Sequence, residues 1–241
     1  MTRCTRGPAE PSRQSGDMAA PQRTIVHLIR HGDALPDAGA TFTGAAGYDD
    51  LGLSAKGKHQ ANALGSRLAS STTLAGIYAS PTRRAHETAT AVATACGLGV
   101  VVDERLREVH LGDESLPAHL AADARAAAIR ARLADLAAIA LRDGSWNAIA
   151  GAEPAPSVAE RMTAAVADIA RAHPGDHVAL VSHAGAINAY FARLLGVAHA
   201  FFFPAGNTSL SSVRIEGGRG LVLRLNDTAH LEAVQGGTAA R

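Results

Sequence analysis

Short apolar runs alternate with amphipathic stretches along most of the chain. Runs rich in β-branched residues predict strands, over 24–29, 76–79, 100–102, 178–181, 210–215 and 221–225. Apolar residues at helical spacing predict helices, over 54–70, 82–95, 157–172 and 186–195. Ser54 and Ser157 are the expected N-caps of two of these helices. This alternation predicts an α/β fold, a three-layer sandwich with a mostly parallel central sheet flanked by helices.

A longer helical stretch interrupts the alternation in the middle of the chain. Residues 117–141 are almost entirely Ala, Leu, Ile, Arg and Asp, and Gly and Pro then break the pattern over 144–156. Ala and Leu are strong helix formers, so this stretch predicts two helices or one bent helix. We expect 117–156 to form an α-helical lid insert over the active-site edge of the sheet.

The sequence predicts one α/β domain over 23–233, which includes the lid insert over 117–156. Residues 1–22 combine Arg, Pro, Ser and Gly without an apolar segment, which is typical of a disordered tail and not of a signal peptide. A second short tail is expected over 234–241. Segment 33–53, rich in Gly, Ala and Asp, predicts a long loop, and loops of that length are usually functional or mobile.

Composition narrows the range of partners. Hydrophobic residues make up 47% of the chain, charged residues 19%, and the net charge is +1. So small a net charge gives no bulk field that would attract nucleic acid or an anionic membrane. No apolar run has the length of a membrane span. The two cysteines, Cys4 and Cys96, cannot build a disulfide framework, so a reducing cytoplasm is the expected compartment.

Cationic and titratable residues follow three of the predicted strands. Arg30 and His31 follow the first strand, Arg84 the second, and His183 the strand over 178–181. Parallel strands bring their carboxyl ends to one edge of a sheet, so these side chains can converge. Two guanidinium groups suit a tetrahedral dianion, and the backbone amide of Ala184 at a helix start adds a donor. An imidazole among such cations is expected to be neutral and nucleophilic.

The residues at these strand ends belong to sequence motifs, and the order of the motifs along the chain resembles that of a known family. The chain carries Arg30-His31-Gly32, then SPTRRAHETA over 80–89, LRE over 106–108 and VSHAG over 181–185. Three further segments are weaker motif matches: LSAKG over 53–57, Gly151 with Glu153, and the closing LNDTAHL. In this order and spacing the motifs resemble the histidine phosphatase superfamily, the phosphoglycerate mutase-like family, in its phosphatase branch.

The resemblance implies a role for each matching residue. His31 corresponds to the nucleophile that forms a phosphohistidine, and Arg30 and Arg84 correspond to the arginines of the phosphate pocket. His183 corresponds to the second histidine, which binds the transferring oxygens. Glu108 corresponds to the acid that protonates the leaving oxygen and later assists water. Phosphoryl transfer depends mostly on positioning and charge stabilisation, which agrees with these roles.

The sequence also gives expected positions for residues outside this catalytic set. Only Arg84 of the adjacent pair fits the motif register, so Arg83 is expected at the surface. Asp37 and Asn207 are expected on the substrate side of the pocket, where a carboxylate tolerates a substrate hydroxyl or amine better than a phosphate. The chain has no HExxH motif and no CxxC pair, so no metal and no cofactor are expected.

The sequence therefore favours a metal-independent phosphomonoesterase that acts on a small phosphorylated metabolite. A mutase of the same fold is an alternative, although the chain lacks a lysine-bearing Gly-rich segment after Glu108. A weakly catalytic module that binds phosphate or phosphohistidine is another. The sequence leaves the metabolite undefined, and it leaves a homodimer open.

Overall fold

A computed structural model describes residues 22–35, 51–112 and 122–235. Its strands are β1 (Thr24–Arg30), β2 (Leu74–Ala79), β3 (Val100–Val102), β4 (His177–Ser182), β5 (Leu210–Glu216) and β6 (Arg219–Asp227). Its α-helices are α1 (Ala55–Ser71), α2 (Arg83–Cys96), α3 (Ala122–Asp143), α4 (Ala155–Ala172), α5 (Ala184–Leu195) and α6 (Ala229–Gln235). A 3₁₀ turn spans Glu104–Leu106.

The six strands form one sheet in the order β3-β2-β4-β1-β5-β6. The pairs β1–β4, β2–β4 and β2–β3 are parallel, whereas β5 is antiparallel to β1 and β6 is antiparallel to β5. The predicted α/β fold with a mostly parallel sheet is confirmed.

Side chains of the central strands alternate between two cores. Val26 and Leu28 of β1 pack in the cluster that includes α4 and α5. Ile29 of β1 packs in the cluster that includes α1 and α2. Leu180 and Val181 of β4 divide between the same two clusters. Because successive side chains of a strand face opposite ways, the sheet forms the middle layer between two layers of helices.

Strand direction places the functional motifs at one edge of the sheet. Arg30 of β1 pairs with Ser182 of β4, so His31 and His183 both leave the sheet at this edge. The antiparallel β5 begins there, because its Leu210 pairs with Ile29. Segments distant in sequence therefore meet at the carboxyl ends of β1 and β4, where open α/β sheets bind ligands.

Several predicted boundaries differ from the structure. Helix α4 begins at Ala155 after Pro154, so the N-cap expected at Ser157 is wrong; proline's restricted φ suits a helix start, and Ser157 lies in the first turn. Helix α5 begins at Ala184, two residues earlier than expected, with His183 as its N-cap. The stretch after 117 is one helix from Ala122. Residues 36–50 of the loop expected over 33–53, and most of both expected tails, lie outside the described residues.

The chain after β1 lies directly against the start of α1. The carbonyl oxygen of Asp33 accepts from the amide of Ser54 at 2.9 Å, and the Ser54 hydroxyl caps α1 by accepting from the amide of Gly57 at 3.0 Å. A Cβ on Gly57 would lie 1.9 Å from the carbonyl oxygen of Asp33, and a Cβ on Gly32 would lie 2.7 Å from that of Gly57. Both glycines are therefore required for this close approach.

Replacing Gly57 with Ala tests this contact. Alanine normally stabilises a helix relative to glycine by about 0.5–1 kcal/mol, but here we expect the clash to destabilise the fold by about 1–3 kcal/mol. The measurement is the free energy of unfolding in urea. Gly99→Ala is the matched control, because nothing lies within 4 Å of its added Cβ. A Gly57→Ala protein as stable as wild type would contradict the packing.

Candidate active site

One buried guanidinium joins the two histidines of the motifs. Arg84 has no solvent exposure, and neither has His183, while His31 is 4% exposed. The Nε of Arg84 donates to Nε2 of His31 at 3.3 Å, and its Nη2 donates to Nδ1 of His183 at 3.4 Å. The two imidazole rings lie edge to face with centroids 5.0 Å apart. Three residues predicted from separate strand ends are thus brought together.

The contacts of His31 define which ring nitrogen carries its proton. Its Nδ1 lies 2.7 Å from the carbonyl oxygen of Gly32. A carbonyl only accepts, so Nδ1 donates and Nε2 keeps its lone pair. Burial lowers the pKa of His31 well below its ordinary value, and the charges of Arg84 and Arg30 lower the pKa further. The residue is a neutral imidazole whose Nε2 lone pair accepts from Arg84.

His183 is held neutral by a different set of partners. Its Nδ1 accepts from Arg84, and its Nε2 therefore donates, lying 2.8 Å from the hydroxyl of Ser80 and 3.3 Å from that of Thr82. Burial lowers the pKa of His183 well below its ordinary value, as does the charge of Arg84. The sequence reasoning missed Ser80 and Thr82, although both lie in the run before Arg84.

The adjacent arginines of α2 have opposite environments. Arg83 lies at the surface in an ion pair with Glu87 at 2.8 Å, as expected for the residue out of register. Arg84 faces the site. Arg30 lines the same cavity as His31, and its Nη1 donates to the carbonyl oxygen of Ala205 at 2.6 Å. Two guanidinium groups therefore flank His31, as the strand-end pattern predicts.

Glu108 lies at the N-terminus of α5. Its Oε1 accepts from the amides of Val109 and Ala186, both at 3.0 Å, and its Oε2 accepts from the amide of Gly185 at 3.4 Å. A Cβ on Gly185 would lie 2.8 Å from Oε1, so this glycine makes room for the carboxylate. Ala184, the first residue of α5, lines the cavity next to them. Its expected contact with phosphate stays a prediction.

Arg161 of α4 anchors the segment that carries Glu108. Its Nη1 donates to the carbonyl oxygens of Arg105 and Arg107 at 2.8 and 2.7 Å, and its Nη2 donates to that of Glu108 at 3.0 Å. An ion pair with Glu153 at 2.8 Å orients the guanidinium. Glu153 was noted in the sequence as part of a weak motif match. Arg161 was missed, because an arginine on an amphipathic helix usually faces solvent.

The loop before β5 supports the backbone of the nucleophile. The side-chain amide of Asn207 donates to the carbonyl oxygen of His31 at 3.1 Å. The backbone amide of Thr208 donates to the carbonyl oxygen of Arg30 at 3.0 Å, in a left-handed conformation with φ of 56°. The assignment of Asn207 to substrate binding stays a prediction, and Asp37 lies outside the described residues.

A cavity of about 350 Å³ opens from His31, Arg30 and Glu108. Helix α3 covers one side of it, through Leu133, Leu136, Ala137, Ala140 and Leu141. Within 22–35, 51–112 and 122–235 no cluster of three His, Cys, Asp or Glu side chains could hold a metal ion. Among the helices of these ranges, none has the length and apolarity needed to span a membrane.

Residues 26–228 match the family model of the histidine phosphatase superfamily, branch 1. The chain belongs to the histidine phosphatase superfamily. It is 36% identical over 170 residues to glucosyl-3-phosphoglycerate phosphatase of Mycolicibacterium vanbaalenii, covering 70% of this chain and 73% of that protein. It is 28% identical to phosphoserine phosphatase 1 of Hydrogenobacter thermophilus, covering 85% and 92% of the two chains.

A solved member of the superfamily has the same fold. The structure of Bacillus stearothermophilus YhfR superposes with a TM-score of 0.69 at 29% sequence identity, covering 86% of this chain and 99% of that one. The predicted resemblance is therefore confirmed. So is the predicted class of enzyme, a histidine phosphatase that hydrolyses phosphoric monoesters.

The anchor at Arg161 leads to a prediction about leaving groups. Glutamine at 161 removes the ion pair with Glu153 and the fork of donors, so Glu108 should lose its position. If Glu108 protonates the leaving oxygen, hydrolysis of an alkyl phosphate should fall about tenfold more than that of p-nitrophenyl phosphate, whose leaving group needs no proton.

The measurement is kcat for both esters in Arg161→Gln. Arg171→Gln serves as the matched control, because Arg171 lies exposed on the same helix in an ion pair with Asp168; it should leave both rates unchanged. Equal losses on both esters in Arg161→Gln would instead indicate a general structural defect and contradict the positioning role.

Proposed function

We propose that this protein hydrolyses a small phosphorylated metabolite through a phosphohistidine at His31. The observation that carries the proposal is the contact of one buried guanidinium, Arg84, with both imidazoles. Together with Arg30 these groups surround a space where a phosphate dianion would find charge-assisted donors. A neutral His31 with its Nε2 unprotonated is the form that can attack phosphorus.

In the first step, Nε2 of His31 forms a bond to phosphorus while the bond from phosphorus to the ester oxygen breaks. Arg30, Arg84 and His183 stabilise the charge on the three non-bridging oxygens. The ring of His183 lies beside that of His31, and the nitrogen that faces Arg84 is Nδ1. For His183 to donate to a phosphate oxygen, its proton moves from Nε2 to Nδ1, and Nε2 then accepts from the Ser80 hydroxyl. The hydrogen bond to Gly32 stabilises the positive charge that develops on the imidazole of His31.

Glu108 is the proposed acid and base. In its protonated form it gives a proton to the departing alkoxide in the first step and becomes a carboxylate; in the second step this carboxylate takes a proton from the water that attacks phosphorus, which restores the acid. The bond from phosphorus to Nε2 then breaks, which releases inorganic phosphate and restores His31. The amides of α5 and the anchor at Arg161 support this role, because they hold the carboxylate at the wall of the same cavity.

The proposal also includes the expected lid, the expected class of partner and the expected cellular compartment. A lid over 117–156 is supported by the α3 residues that line the cavity. The partner is a small molecule and not nucleic acid, which the net charge of +1 supports. Action in the cytoplasm is supported by the presence of two cysteines in the whole chain, which cannot build a disulfide framework.

Chemical trapping tests the intermediate. Wild-type enzyme quenched in base during turnover of a phosphate ester should carry a phosphoryl group that is stable in alkali and lost in acid. His31→Ala should carry none and should lose activity by about a thousandfold or more. His86→Ala, an exposed histidine on α2, should label like wild type.

The reaction products distinguish a phosphatase from a mutase and from a phosphate-binding module. Hydrolysis releases free phosphate, whereas a mutase would convert 3-phosphoglycerate to its 2-isomer without net release. Label that persists in His31→Ala would remove the proposed nucleophile. Binding without turnover of any ester would indicate a phosphate-binding module instead.

A further inference from the structure

The cavity beyond the phosphate end of the site has an apolar wall. Its apolar lining residues come from the segment after β1, from the segment after Glu108, from α3, from the segment between α3 and α4, and from the segment before β5. They are Ala34, Leu35, Val109, Leu111, the five α3 residues named above, Trp146, Phe201, Pro204 and Ala205. Trp146 is buried, with its Nε1 donating to the carbonyl oxygen of Glu153 at 2.8 Å, so its indole presents no donor to a ligand.

The charged groups of the cavity are unevenly placed. Among the lining residues that the structure describes, Arg30 and His31 are the basic ones, and both belong to the phosphate end. The remaining charged residues are acidic, Asp33 and Glu108. Asp33 already accepts from the Ser54 hydroxyl at 2.6 Å.

The sequence limits which charges the segments that the structure does not describe can contribute. Residues 36–50 and 113–121, which the structure does not describe, contain neither Lys nor Arg, and they contain five Asp or Glu residues: Asp37, Asp49, Asp50, Asp113 and Glu114. On α3, Arg130, Arg132 and Arg142 are not among the residues that line the cavity, and the side chain of Arg125 is not described. A second anionic group on the substrate would therefore leave water for an apolar or acidic wall, at a cost in free energy that no cation among the described residues of this wall offsets.

We infer that the leaving group is an uncharged, largely apolar alcohol and that the site discriminates against esters with a carboxylate beside the phosphate. This inference rests on the proposed phosphatase function and specifies its substrate class. It separates this chain from relatives whose names specify phosphoserine or glucosyl-3-phosphoglycerate. The apolar wall binds the alcohol, and the carboxylate of Asp33 disfavours a second carboxylate in the cavity.

Steady-state hydrolysis of four alkyl phosphates by the full chain tests the inference. The first two, n-hexyl phosphate and 2-phenylethyl phosphate, have apolar alcohols; the other two, 3-phosphoglycerate and O-phosphoserine, carry a carboxylate. All four are alkyl esters, so the apolar pair is not favoured by an aryloxide leaving group. We expect kcat/KM to be at least about tenfold higher for the apolar pair.

A cation introduced into the wall should reverse the preference. Ala137→Arg places a guanidinium on the cavity side of α3, and we expect it to raise kcat/KM for 3-phosphoglycerate relative to 2-phenylethyl phosphate by about tenfold. Ala138→Arg is the matched control, because Ala138 is exposed and does not line the cavity. Arg130→Gln should leave the ratio unchanged, and a fall in the relative rate for 3-phosphoglycerate would reveal a cation at the mouth and overturn the inference.

The outcomes distinguish this inference from the function on which it rests. A wild-type preference for either carboxylate ester, with phosphate still trapped on His31, would overturn the substrate class and leave the phosphatase mechanism standing. The same holds if Ala137→Arg and Ala138→Arg change the ratio equally. Absence of a phosphoenzyme with all four esters would instead count against the mechanism itself.

Discussion

The hydrogen bond from Nδ1 of His31 to the carbonyl oxygen of Gly32 determines what the site can do. It holds the ring in one tautomer and directs the lone pair of Nε2 toward Arg84. Burial and the neighbouring guanidinium groups keep the pKa of this imidazole low, so it stays neutral beside two cations. An imidazole with the opposite tautomer would present a proton where phosphorus has to bind.

The rest of the fold maintains that bond. The carbonyl of Gly32 lies where it does because Gly32 and Gly57 allow the chain after β1 to approach α1 closely. The amide of Gly32 donates to the hydroxyl of Thr88 at 3.0 Å, and this hydroxyl donates to the carbonyl oxygen of Arg84 at 2.7 Å. The first turns of α2 thus position both the guanidinium and the backbone of the nucleophile. Burying this charge among imidazoles costs free energy, which a phosphate dianion would offset on binding.

Much of this arrangement is predictable from the sequence, and the limits have physical causes. The strand periodicity and the rule that parallel strands share a carboxyl edge predict the convergence of His31, Arg84 and His183. Their hydrogen bonds could not be predicted, because they depend on side-chain directions that a linear pattern does not encode. Arg161 was missed because an arginine on an amphipathic helix usually faces solvent, and because no residue pattern reveals the backbone carbonyls to which it donates. The starts of two helices were predicted two residues too late. Helix α4 begins at Ala155, after Pro154, and α5 begins at Ala184, after His183.

The protonation state of His31 at rest is the most direct test of this account. Nitrogen-15 NMR of the full chain with labelled histidine would resolve the 11 histidines, and a His31→Gln variant would identify the resonances of His31. We expect Nδ1 to be protonated and Nε2 unprotonated at pH 8, with no imidazolium forming as the pH falls through 6.5, because burial and Arg84 lower the pKa. A proton on Nε2, or an imidazolium that forms near pH 6.5, would contradict the account.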